Sequence, residues 1–73
     1  MLRKGVAAMK NEIGETAGRI WETLNTRGKV AINQLPKILN ENSMLVYQAL
    51  GWLAREDKIE YFIEKKKTYV SLK

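Results

Sequence analysis

Three consecutive lysines, Lys65, Lys66 and Lys67, form the densest charge in this sequence. Ammonium groups on flexible stems suit phosphate oxygens, because they can follow a nucleic-acid backbone without reading its bases. Base reading needs other groups, typically Arg for guanine and Asn or Gln for adenine. The stretch "NSMLVYQALGWLAR", residues 42–55, offers Asn42, Ser43, Tyr47 and Gln48 as hydrogen-bonding groups. Met44 adds an apolar contact for a thymine methyl, and Arg55 closes the stretch. No Lys or Arg lies between Ser43 and Ala54. Each of these residues also has an ordinary reading. Gln48 serves equally well as a solvated side chain, and Ser43 as a helix cap. A lysine run also suits a solvated turn that discourages edge-to-edge strand pairing.

Other chemistry is poorly supplied. The 73 residues contain neither His nor Cys. A thiolate metal site and a disulfide framework are therefore impossible, and the commonest acid–base catalyst at neutral pH is missing. No carboxylate pair reads as catalytic, and "GETAG" lacks the lysine and spacing of a phosphate-binding loop. The expectation is a non-enzymatic protein with no metal, no cofactor and no evident small-molecule substrate.

Net charge is +5, from 13 Lys and Arg against 8 Asp and Glu. Arg3, Lys4 and Lys10 carry +3 of it within residues 1–10, which leaves +2 for residues 11–73. A basic balance favours nucleic acid or an acidic partner without proving either. No apolar run approaches the roughly 20 residues that span a bilayer, and "MLRKGVAAMK" lacks the apolar centre of a secretory signal. The expected location is the cytoplasm.

The elements that must position these groups follow from periodicity. Residues 1–10 show no clear period and read either as a flexible arm or as an extension of the first helix. Ile13, Ala17, Ile20 and Leu24 recur at helical spacing, which predicts a helix from about 12 to 27, with Asn11 as its cap and Gly28 as its stop. Trp21 borders that stripe and reads as core, with an exposed interface residue as the alternative. "KVAI" reads as a brief strand. Asn33 is positioned to cap a second helix, with Pro36 in its first turn and Leu35, Ile38 and Leu39 facing inward. Ser43 is the expected cap of a third helix. Along that helix, at ~100° per residue, Val46, Ala49, Leu50 and Leu53 share one face. Met44, Gln48, Gly51 and Arg55 share the opposite one. Alternation at Ile59, Tyr61 and Ile63, and again at Thr68, Val70 and Leu72, predicts a two-stranded hairpin turning at "EKKK".

This order, with Leu35 and Leu39 in the second helix and Val46, Ala49, Leu50 and Leu53 in the third, resembles the winged helix-turn-helix fold over residues 11–73. "REDKI" and "TYVSL" resemble the approach to a wing and its close, although Asp57 stands where such domains commonly have glycine. The chain is most similar to small, stand-alone bacterial winged-helix families with no assigned function. The resemblance implies a mainly α architecture, three helices plus a two- to three-stranded wing. It also implies a third helix that enters the DNA major groove and a wing tip at Lys65–Lys67 that touches the backbone. The implied partner is double-stranded DNA, and the implied role resembles that of a transcription regulator, with backbone-driven, weakly specific contacts. Members of the fold also act as dimerisation modules, so a second reading stays open. Leu45 and Trp52 lie seven residues apart on one flank of the third helix. Exposed groups of that size mark an interface, and they predict a homodimer that adds buried area to a small core. The alternative is that Trp52 folds back onto the wing as core.

Overall fold

A computed structural model describes residues 2–73, with side chains from Asn11 onward. Met1 and the side chains of residues 2–10 lie outside the described set, and with them the charges of Arg3, Lys4 and Lys10. Helix α1 runs Leu2–Arg27, so Asn11 lies inside it and does not cap it. It stops where expected. Gly28 takes φ 80°, and its N–H donates to the Leu24 carbonyl at 2.8 Å, the single-bond left-handed cap that favours glycine.

Strand β1, Val30–Ala31, follows at once. A 3₁₀ turn over Ile32–Gln34 then feeds α2, Leu35–Leu39. Asn33 sits inside that turn, so α2 begins without the side-chain cap expected of it. Helix α2 ends on Asn40 at φ 53°. There the Asn40 N–H donates to the Lys37 carbonyl and the Glu41 N–H to the Pro36 carbonyl, which is a Schellman motif.

Helix α3 spans Ser43–Arg55. Its cap is Asn42, one residue before the expected Ser43. Asn42 holds the extended backbone that a cap requires, and its Oδ1 accepts from the N–H groups of Met44 at 2.8 Å and Leu45 at 3.3 Å. The helix closes on Asp57 at φ 60°, with a second Schellman pair: the Lys58 N–H donates to the Leu53 carbonyl and the Asp57 N–H to the Ala54 carbonyl. Asp57 thus adopts the conformation that glycine commonly supplies at this position. Its carboxylate accepts from the Lys73 ammonium, which raises the Lys73 pKa.

Strands β2, Ile59–Glu64, and β3, Lys67–Leu72, form the wing hairpin. All pairs are antiparallel and the sheet order is β1-β3-β2, with Val30 opposite Val70 and Ile59 opposite Leu72. β3 is therefore central. Val70 is fully buried on it, whereas β2 is an edge strand on which only Ile59 is buried. Tyr61 and Ile63 keep the expected alternation but stay exposed, because the hairpin runs out past the core.

One core joins all layers. Ala17, Ile20 and Leu24 of α1 cluster with Leu35 and Leu39 of α2, the expected face of α3, and Val30, Ile59 and Val70 of the sheet. Ile13, Ile32, Ile38 and Leu72 pack around them. Trp21 departs from the expectation. It is 41% exposed, because the residue after Ile20 points along the flank of α1. The cap assignment has a direct test in thermal unfolding. Asn42→Ala should cost about 1 kcal/mol, a fall of roughly 4–8 °C in Tm for a chain of this size. Ser43→Ala should stay within about 0.5 kcal/mol of wild type. The reverse ranking would return the cap to Ser43.

Candidate nucleic-acid interface

The hairpin turn is shorter than the "EKKK" run suggested. Glu64 and Lys67 pair as the last rung, leaving Lys65 and Lys66 alone at the tip. Their φ values of 50° and 68° are the combination of a type I′ turn, whose twist matches the strands but whose central positions favour Asn and Gly. Two lysines therefore occupy backbone that is costly for their type. All three lysines are exposed, and among the described residues none of them forms an ion pair.

The carboxylate beside the tip is occupied. Lys29, at the entry to β1, donates to both Glu64 oxygens at 2.8 Å, and its ammonium lies 5.1 Å from the centre of the Tyr69 ring. An exposed pair of this kind adds little to stability, about 0–1 kcal/mol. Its consequence is electrostatic: Glu64 is neutralised by Lys29, and the three exposed lysine charges stay unpaired among the described residues.

A similar arrangement stands at the start of α3. Arg19 of α1 pairs with Glu41 at 3.3 Å and donates to the Leu39 carbonyl at the end of α2. The other Glu41 oxygen accepts the Asn42 N–H at 3.0 Å. These bonds tie α1 to the α2–α3 turn and fix where α3 begins.

The side chains proposed to face DNA divide by what else they do. Asn42 is engaged through Oδ1 as the cap, which leaves its amide nitrogen. Ser43 is released from capping and is exposed with Met44, Tyr47 and Gln48 on the outer side of α3, while Arg55 lies exposed in its last turn. Tyr61 on β2 is also exposed, and partial burial raises the pKa of its phenol, which stays a hydrogen-bond donor at neutral pH.

Leu45 is half-buried and lines a hollow with Glu12, Arg19 and Glu41, whereas Trp52 is exposed and lines a groove with Trp21. Sequence reasoning missed the ion pairs and the groove that the two tryptophans share, since both depend on residues brought together from distant parts of the chain. No group of His, Cys, Asp or Glu able to hold a metal occurs among the described residues. No helix among them is long and apolar enough to cross a membrane.

Residues 8–72 match the winged helix-turn-helix domain family DUF2582. The chain belongs to this family. MJ1608 of Methanocaldococcus jannaschii, an uncharacterised protein, is 46% identical over 68 residues, covering 89% of this chain and 96% of that one. The solution structure of BT2368 from Bacteroides thetaiotaomicron superposes with a TM-score of 0.77 at 28% identity, over 86% of this chain and 77% of that one. The Zα domain of Carassius auratus PKZ, solved in complex with Z-DNA, gives a TM-score of 0.71 at 20% identity, over 84% and 97% of the two chains. At that identity the likeness is one of fold.

The strained turn generates a prediction. Replacing Lys65 with Asn and Lys66 with Gly should raise stability by about 1 kcal/mol, because both new residues accept positive φ more readily. Denaturant unfolding checks it, and an unchanged or lowered midpoint would contradict the left-handed geometry of the tip.

Proposed function

We propose that the protein binds duplex DNA chiefly through the phosphate backbone. On this reading the wing tip at Lys65, Lys66 and Lys67 supplies the charge, and the start of α3 supplies Ser43, Met44, Tyr47 and Gln48 at the groove. One observation carries the reading: three unpaired lysines on a projecting hairpin whose own carboxylate is held by Lys29. The family's fold supports it, as does the likeness to a Zα domain that binds Z-DNA. The outer side of α3 has no cation before Arg55. Sequence preference should therefore be weak, and the role is that of a transcription-regulator-like or architectural DNA-binding module.

The test uses the Lys65→Asn/Lys66→Gly variant, which removes two charges while favouring the fold. Titration of wild type and variant against one duplex at several salt concentrations gives the slope of log K on log salt. The slope should fall by about 2 in magnitude, roughly one per lost phosphate contact. An unchanged slope with retained binding would put the DNA-contacting surface elsewhere, and no binding by wild type at low salt would remove the proposal.

A further inference from the structure

The α1/α3 groove lies apart from the wing tip. It encloses about 400 Å³. Trp21 of α1 and Trp52 of α3 line it, 41% and 50% exposed, and they are the chain's two tryptophans. Gly14 and Gly18 contribute to the α1 side of the groove. A Cβ at either glycine would meet nothing within 4 Å, so the fold does not require glycine there. Glycine inside a helix costs about 0.5–1 kcal/mol relative to Ala. Among the described residues no close approach at either glycine offsets that cost.

We infer that this groove seats the same groove of a second copy, making a two-fold homodimer through α1. A two-fold interface must be complementary to itself, and this patch holds both halves of a fit. The bulky Trp21 ring and the open space over Gly14 lie two helical turns apart on one flank of α1. An antiparallel crossing of two copies of α1 near Gly18 sets each Trp21 over the partner's glycine gap. The groove lining carries both signs, Glu22 and Glu56 against Lys58, so the lysine of each copy can answer one carboxylate of the other. In between, Gly14, Gly18, Trp21 and Asn25 form an uncharged stripe that brings no unpaired charge into the contact. A standard interface takes about 800 Å² per partner, and the exposed parts of the two rings supply roughly a quarter of that.

Both tryptophans report on this one surface, so intrinsic fluorescence across a dilution series, alongside sedimentation, reads the proposal directly. Wild type should sediment as a dimer at micromolar concentrations, with emission moving to longer wavelength as it dissociates. Gly18→Leu places a bulky side chain where the two helices cross, brings a better helix former, and should leave the helical circular dichroism intact. It should raise the dimer dissociation constant at least about tenfold, the factor that 1.4 kcal/mol represents. Trp21→Ala should do the same from the other side of the fit. A wild type that stays monomeric at high micromolar concentration would overturn the inference. So would a dimer that both variants leave intact, because its interface would then lie elsewhere.

Discussion

The structure depends on how α3 is held. Its inner face, Val46, Ala49, Leu50 and Leu53, meets Ala17, Ile20 and Leu24 of α1 in one core that also includes Val70 of the central strand. Among the described residues the buried hydrophobic side chains form a single cluster. The orientation of α3, and of every group on its outer side, is therefore set by this one packing surface. Arg19 reinforces it by joining α1 to both Glu41 and the end of α2, so the start of α3 is fixed by apolar contact and hydrogen bonding together.

Charge is arranged around that frame in a consistent way. The carboxylates next to the two proposed DNA contacts, Glu41 at the start of α3 and Glu64 at the wing tip, each pair with a cation from another part of the chain. Both pairs are exposed, and their worth to folding is small. What they alter is the field a phosphate meets: two negative charges are compensated, while Lys65, Lys66 and Lys67 keep theirs. The same three lysines sit in or beside a turn whose backbone favours other residues. Strain of this kind clusters at functional positions, and the wing tip here combines it with unpaired charge.

The sequence carried much of the fold and less of the site. The buried face of α3 follows from helical spacing, since four apolar side chains recurring at three and four residues leave one inward direction. The two-stranded hairpin was legible through alternation, but exposure was not, because Tyr61 and Ile63 lie on an edge strand and only tertiary placement decides that. Asn42 and Ser43 are both good caps, and the extended backbone at Asn42 separates them, which composition cannot express. Trp21 borders a core stripe, where helical spacing does not distinguish inside from flank. The pairing of Lys29 with Glu64 and the groove shared by Trp21 and Trp52 join distant segments and leave no local pattern to read.

The most direct test of the central claim, that the wing tip and the start of α3 form the DNA-contacting surface, is amide chemical-shift mapping by NMR as a short mixed-sequence duplex is added. The account predicts that shifts concentrate at Lys65–Lys67 and Ser43–Gln48, with similar patterns for duplexes of unrelated sequence. Shifts confined to the Trp21 and Trp52 groove, or absent at every residue under low salt, would contradict it.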